Sequence, residues 1–279
     1  MKKIAISAVL LALVGIAQAQ VTVNGLLGYQ VSKSGTTTTY GFHDSIVGFT
    51  AKEDLGGGTS ITANMGLNGV GGRGSAVTTE DATLVLDGAF GSVKVGEVET
   101  GNGIIGRGYA GGAFIGSDGS VLAGASNKQY AGYTTPAFGG FKLNINSTRA
   151  IAGTGDAAVA AGVSYDQGPV SAGYDYKETT KRQRLSASYN LGFTKVGAGY
   201  SFHETDVANS RVLSVTAPIG TAFGVGASIA DGNGKATEFA ATYALSKRTG
   251  FAVAYQDVKD NTDAAKNVGT TRIRLTHSF

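Results

Sequence analysis

The chain has 279 residues with 23 lysines and arginines against 20 aspartates and glutamates, and it contains 44 glycines, 3 prolines and no cysteine. The small charge excess excludes a strongly basic nucleic-acid-binding protein, and the lack of cysteine excludes a small disulfide-stapled fold. Glycine-rich disorder is excluded as well, because 42% of the residues are hydrophobic.

The first predicted element is a secretory signal peptide over residues 1–19. Lys2 and Lys3 precede an apolar stretch over residues 4–16, and Ala17-Gln18-Ala19 forms an A-x-A cleavage site before Gln20. Removal of the two lysines leaves 21 basic residues against 20 acidic ones. After Gln20 no window reaches the roughly 18 consecutive apolar residues that a membrane helix needs. We therefore expect a mature chain over residues 20–279 that contains no membrane-spanning helix.

The mature chain is a series of short stretches in which apolar and polar residues alternate with a period of two, which is typical of β-strands. We predict sixteen strands, with fourteen to eighteen possible because boundaries are uncertain by a few residues. The stretches are 20–32, 44–54, 59–68, 81–88, 92–99, 127–136, 141–149, 159–166, 169–177, 182–190, 194–203, 209–219, 222–230, 236–245, 249–257 and 269–279.

The connections alternate between tight turns, such as 55–58 and 220–221, and mostly longer links, such as 33–39, 69–79 and 258–268. Tight turns at one end and longer loops at the other are typical of an antiparallel up-and-down transmembrane β-barrel. A soluble sandwich would also alternate, but it would seldom need sixteen strands in one sheet. The predicted fold is therefore all-β, with a closed barrel as its single domain and both chain ends on the tight-turn side.

One link, 100–126, is much longer than the others and is rich in glycine and small apolar residues. A connection of more than about 15 residues in a compact protein is usually functional or disordered. Its apolar content predicts that it packs against another part of the protein.

Five stretches carry a resemblance to a known family: VTVNGLLGYQV at 21–31, VGFTAKEDLGGGTSITANM at 47–65, FGSVKVGE at 90–97, YTTPAFGGFKLN at 133–144, and the final HSF. In these the chain resembles a Gram-negative general porin of the beta-proteobacterial outer-membrane type. The resemblance implies a trimeric, sixteen-stranded barrel in the outer membrane for passive diffusion of ions and small hydrophilic solutes. It also implies contacts with lipid, lipopolysaccharide and the barrel-assembly machinery, with Phe279 as the assembly signal.

The resemblance further implies that the third loop, 100–126, folds into the lumen and narrows it, with acidic residues on the loop facing basic ones on the wall. The constriction candidates are Arg107 and Asp118 on the loop, with Glu97 and Glu99 just before it. This chain carries Ile46 and Thr50 where the family pattern has basic residues.

Alternation also gives a set of charged residues that we expect to line the pore. Eight basic against four acidic side chains predict a mildly anion-selective lumen, because charge that lines a pore acts on ions at close range. The strongest candidates are Arg182 with Arg184 and Arg272 with Arg274, because the two arginines of each pair are two residues apart and therefore lie on one face of a strand. The basic members are Lys94, Lys142, Lys177, Arg182, Arg184, Lys195, Arg272 and Arg274, and the acidic members are Asp81, Asp87, Asp175 and Glu238.

The sequence lacks the motifs that would indicate an enzyme. The three histidines, His43, His203 and His277, lack metal-ligand spacing, and no G-x-S-x-G nucleophile elbow stands between a strand and a helix. We expect no cofactor, no metal and no nucleic-acid partner. Two alternatives to a general porin stay open: a substrate-specific channel, and a non-conducting surface adhesin or structural barrel.

Overall fold

The computed structural model describes residues 20–72, 76–100, 122, 126–151, 156–203, 209–261 and 267–279, and it shows one closed antiparallel β-barrel. Each strand pairs with its neighbours along the chain, and the last strand pairs with the first. The predicted fold class and the predicted sixteen strands are confirmed. In the described part of the chain, no helix combines the length and apolarity of a membrane span.

The strands are numbered in chain order. Their bounds are β1 Gln20–Ser34, β2 Thr37–Gly56, β3 Thr59–Asn68, β4 Thr78–Gly88, β5 Gly91–Thr100, β6 Ser126–Thr134, β7 Phe141–Ala150, β8 Ala158–Gln167, β9 Val170–Lys177, β10 Arg182–Asn190, β11 Lys195–Phe202, β12 Ser210–Ile219, β13 Phe223–Asp231, β14 Gly234–Ala244, β15 Thr249–Asp260 and β16 Val268–Ser278. The links 69–77 and 101–125 lie at one end of the barrel, and the opposite end, where short connections such as 57–58 and 168–169 join the strands, is the tight-turn end.

The seam between β1 and β16 closes the barrel. The register runs from Leu26 opposite Ser278 to Ser34 opposite Thr270. Beyond it, the N–H of Gly25 donates to the carbonyl of Phe279 (3.0 Å), and the N–H of Phe279 donates to the carbonyl of Gly25 (3.1 Å). The ring of Phe279 occupies the space that a Cβ on Gly25 would need. The final residue is therefore part of the ladder, and glycine at position 25 lets its ring lie against the wall.

Alternation along the strands gives the barrel two chemically different faces. Large apolar side chains on the outer face are exposed to the surroundings of the barrel, while their neighbours on each strand point inward and are mostly polar or small. So much exposed apolar surface would be unfavourable in water, and it suits contact with lipid. The outward apolar side chains include Leu84, Val95, Leu143, Tyr174, Leu185, Leu213, Phe239 and Ile273.

One predicted link is wrong. Residues 33–39 were expected to form a longer loop, but β1 continues to Ser34 and β2 begins at Thr37, which leaves a two-residue connection. Thr37, Thr38, Thr39 and Tyr40 pair with β1 up to its end. Threonine and tyrosine favour strands when a neighbouring strand is available, so this polar run extends the hairpin.

Candidate functional site

The inner face of the barrel is the candidate site, because it holds most of the charged side chains predicted to line a pore. The cross-strand register places them on the face opposite to the exposed apolar residues. Asp81 differs: it lies where the β3–β4 register shifts, and its carboxylate accepts a hydrogen bond from the backbone N–H of Glu99 at 2.7 Å. The inward side chains are Lys94, Lys142, Lys177, Arg182, Arg184, Lys195, Arg272, Arg274, Asp87, Asp175 and Glu238.

A cavity of about 460 Å³ opens on the inner wall of β6–β11, and its lining is strongly cationic. Lys128, Lys177, Arg182 and Arg184 line it, and Asp175 is the one carboxylate among its described lining residues. We call this space the cationic cavity. Lys128 was missing from the sequence-based set, although it lies two residues before Tyr130 on the same face of β6 and the same period-two argument applies to it.

Within the cationic cavity one ion pair is well formed. The Nε of Arg184 donates to both carboxylate oxygens of Asp175, at 2.8 and 2.9 Å, and the two residues lie directly opposite each other on β10 and β9. Both side chains are mostly shielded from solvent. Arg184 is therefore largely neutralised by Asp175, and the net positive charge of the cavity comes from its other cations.

A second basic pair, Arg272 and Arg274, lies on β16. Arg274 donates to the side-chain oxygen of Gln30 (2.8 Å from Nη2), and its Nη1 lies 3.5 Å from the carboxylate of Asp44. In the described part of the chain, the buried Nη1 of Arg272 has no hydrogen-bond partner. Arg272 thus adds positive charge to the inner face, whereas Arg274 is partly compensated by Asp44.

The inner wall of β12–β15 is lined by small apolar residues. Val212, Ala230, Ala236 and Val258 lie directly opposite one another in a continuous row across these four strands. All four are buried, and Leu122, which is 4% exposed, packs with them. Leu122 belongs to the long link between β5 and β6. At least this residue of the link therefore lies inside the barrel against the wall.

A second row beside the first is polar and equally buried. Ser214, Ser228, Glu238 and Gln256 face one another across β12–β15, and Glu238 is fully buried. Because the inner side of this wall is buried, other residues of the protein must contact it.

The acidic residues assigned to the constriction are placed differently from our expectation. Glu97 and Glu99 belong to β5, just before the loop as expected, but they alternate with inward-facing Lys94 and Val98 and lie on the exposed outer face that carries Val93. This part of the interpretation is corrected, since a period of two puts the side chains of positions 93, 97 and 99 on one face. Arg107 and Asp118, the candidates on the loop, lie outside the described residues.

The surroundings of His203 lower its pKa. His203 follows β11 and lines the cationic cavity, and the Oγ of Ser201 lies 3.1 Å from the Nε2 of His203. Burial lowers the pKa of His203 from its ordinary 6.5, and the positive charges of Arg182 and Arg184 lower it further. The neutral ring is therefore the form that the folded barrel favours at neutral pH.

We expect Arg182→Gln to raise the pKa of His203 toward its ordinary value, because the substitution removes one of the two charges that disfavour a protonated ring. The measurement is a pH titration of the histidine ring signals by NMR in detergent micelles, with His203→Gln used to assign the signal. Lys142→Gln, which removes a charge at the opposite end of the barrel, is the control. A pKa that is unchanged in Arg182→Gln would contradict the electrostatic account.

Comparison with known proteins agrees with this architecture. A family model described as Gram-negative porin matches residues 5–264. Among solved structures, the in-vitro-folded trimer form of OmpT, an outer membrane protein of Vibrio cholerae, superposes with a TM-score of 0.74 at 11% identity, covering 94% of this chain and 99% of that chain. A multiply substituted variant of the Rhodopseudomonas blastica porin superposes with a TM-score of 0.75 at 13% identity, covering 93% and 100%. No curated protein sequence matches this chain. At such identities the structural likeness concerns the fold alone.

Proposed function

This chain belongs to the Gram-negative porin family, and from that premise we propose that it passes small hydrophilic solutes with a mild preference for anions. As a member of this family it is a channel of the outer membrane and not an enzyme. The beta-proteobacterial type suggested by the sequence, the signal peptide over residues 1–19 and the anion preference are parts of the proposal.

The observation that carries the anion preference is the charge of the inner wall. The cationic cavity has four cationic side chains and one carboxylate among its described lining residues, and Arg272 adds a further charge on β16. Charge on the wall of a water-filled channel raises the local concentration of ions of opposite sign. The lumen should therefore hold more anions than cations at moderate salt.

We propose that the link between β5 and β6 narrows this lumen. The support is Leu122, which is buried against the inner wall of β12–β15. If the link lies along that wall, solutes pass on the side where β6–β11 carry the cationic cavity. The narrowest part of the pore would then be bordered by basic side chains, which strengthens their effect on passing ions.

The test of this function is reconstitution of the folded protein in planar bilayers. We expect stepwise conductance increments and, in a potassium chloride gradient, a reversal potential with the sign of anion preference. Absence of conductance would leave the non-conducting adhesin or structural barrel as the better reading. Preference for cations would refute the proposed selectivity while leaving the channel intact.

A variant with Arg272→Ser and Arg274→Ser should have a weaker anion preference, because it removes the positive charge of Arg272 and leaves Asp44 without its nearby arginine. We expect the anion-to-cation permeability ratio to fall about twofold. The matched control is Lys235→Ser with Lys259→Ser, which removes two charges from exposed positions that alternate with inward-facing Ala236 and Val258. An equal fall in the control would show that the selectivity does not arise at the inner wall.

We also propose a homotrimer in contact with outer-membrane lipid and lipopolysaccharide, assembled by the machinery that recognises Phe279. The support is the shared fold with OmpT, which is described in a trimer form. Analytical ultracentrifugation in density-matched detergent should give three times the protomer mass, and a monomer mass would refute this part of the proposal.

A further inference from the structure

We propose that the cationic cavity is a saturable binding site for phosphate-bearing solutes, namely inorganic phosphate and small phosphate esters. This inference rests on the proposed function as a diffusion channel and adds a preferred solute class to it. It concerns a discrete site on the wall of β6–β11, whereas the anion preference above is a property of the whole lumen.

Like charges repel one another in the cationic cavity. Lys177 on β9 lies directly opposite Arg182 on β10, and Arg184 is the next inward residue on the same strand. Like charges directly opposite each other in an antiparallel pair are destabilising. Lys128 lines the same cavity from β6. A multivalent anion bound among these side chains would relieve the repulsion, which favours binding without any rearrangement of the strands.

Among the described residues, these cations have few internal partners. Asp175 is engaged by Arg184, with Arg182 in its vicinity. In the part of the chain that the structure describes, neither Lys177 nor Arg182 forms an ion pair, and the buried Nε of Arg182 has no hydrogen-bond partner. A buried N–H donor without an acceptor costs free energy that a bound oxyanion would recover.

The chemistry of the cavity lining suits phosphate-bearing solutes. Guanidinium and ammonium groups are the side chains that bind phosphate oxygens best, by charge-assisted hydrogen bonds. The cavity of about 460 Å³ lies within the volume range of small-molecule sites. Beside its cations it offers amide and hydroxyl groups that suit the polyol part of a phosphate ester. These polar lining residues are Asn144, Asn146, Thr148, Ser164, Ser186 and Ser201.

A discrete phosphate site differs from a general anion preference because it favours ligands of higher negative charge. Coulomb attraction grows with the charge of the ligand, so a phosphate dianion is held more strongly than chloride by the same side chains. A channel site must also release its solute, which limits useful affinity. We expect a dissociation constant on the order of 1 mM, far weaker than that of a storage or sensor protein.

The experiment is single-channel recording at constant potassium chloride with increasing inorganic phosphate. Phosphate should reduce the chloride current in a saturable way, with half of the effect on the order of 1 mM. In a second arm, glycerol 3-phosphate should act in the same concentration range, and glycerol alone should have no effect. If only inorganic phosphate acts, the site excludes esters and that half of the proposal is wrong.

The variant with Lys177→Gln and Arg182→Gln should raise the half-blocking phosphate concentration at least tenfold. It should fold well, because the substitutions remove a repulsive pair. The matched control is Lys142→Gln with Lys195→Gln, which removes two inward charges at the tight-turn end, outside the cationic cavity. In the control, the half-blocking concentration should stay within about twofold of wild type.

The outcomes distinguish this site from the channel function. A conducting wild-type channel without phosphate block overturns the site and leaves the porin function standing. An equal loss of block in both double variants also overturns the site, because the effect would then be one of overall lumen charge. A wild-type protein without conductance refutes the proposed function itself.

Discussion

Replacing Leu122 with aspartate should increase the single-channel conductance. Leu122 is buried with Val212, Ala230, Ala236 and Val258 on the inner wall of β12–β15. Removing a buried leucine loses about 1.5–3 kcal/mol of apolar burial, and a carboxylate among these side chains adds a desolvation penalty. Since 1.4 kcal/mol is a tenfold change in an equilibrium constant, the link should leave the wall in most molecules. Planar bilayer recording measures the resulting change in conductance.

Leu122→Met is the matched control, because methionine keeps the apolar character and approximate volume of leucine and should leave the conductance near wild type. The folded fraction of both variants is checked by circular dichroism in lipid vesicles. If Leu122→Asp folds and conducts like wild type, then the link between β5 and β6 does not narrow the pore. That result would also remove the reason for placing the path of the solutes along the cationic cavity.

Substituting Gly96 with valine should prevent most of the protein from assembling. Gly96 lies in the middle of β5 with φ +147°, a conformation that residues with a side chain rarely adopt. A Cβ there would overlap the carbonyl oxygen of Ala82 and lie 2.8 Å from the Cα of Thr83, both in the backbone of β4. Strain of about 1–3 kcal/mol adds to this overlap, which can be relieved only by separating β4 from β5.

The matched control is Gly41→Val on β2, where a Cβ meets nothing within 4 Å. Refolding into lipid vesicles, followed by circular dichroism and by the number of channels per unit of protein in bilayers, measures assembly. We expect Gly96→Val to lose most of its folded fraction and Gly41→Val to keep it. Equal folding of the two variants would show that the β4–β5 pairing tolerates a shifted backbone at this position.

Most of the fold could be predicted because a membrane barrel repeats one local rule. Each strand meets lipid on one side and water on the other, so every strand shows apolar and polar residues in alternation. The number of strands can therefore be counted from the alternating stretches. The error at 33–39 shows the limit of that rule. Thr37–Thr39 carry no apolar alternation, so they resemble a loop in the sequence, and only the pairing with β1 makes them a strand.

Less of the candidate site could be predicted from the sequence. Alternation indicates which side chains share the face of Arg182, but it does not indicate that Lys177 stands opposite, since that depends on the register between β9 and β10. The choice of Glu97 and Glu99 as constriction candidates overlooked a signal in the sequence, because both lie on the same face of the predicted strand as Val93. Alternation could not place Asp81, because the register between β3 and β4 shifts beside it.

The sequence by itself determined the barrel, its number of strands and the chemical character of its two faces, because these follow from alternation within each strand and from the need to pair every backbone group in lipid. Only the tertiary structure decided where charges accumulate and what covers the inner wall. These features depend on how residues far apart in the chain come together, such as Leu122 in one buried cluster with Ala236, and Lys128 in one cavity with Lys177 and Arg182. Register and loop position create those contacts, and neither is encoded in a period of two.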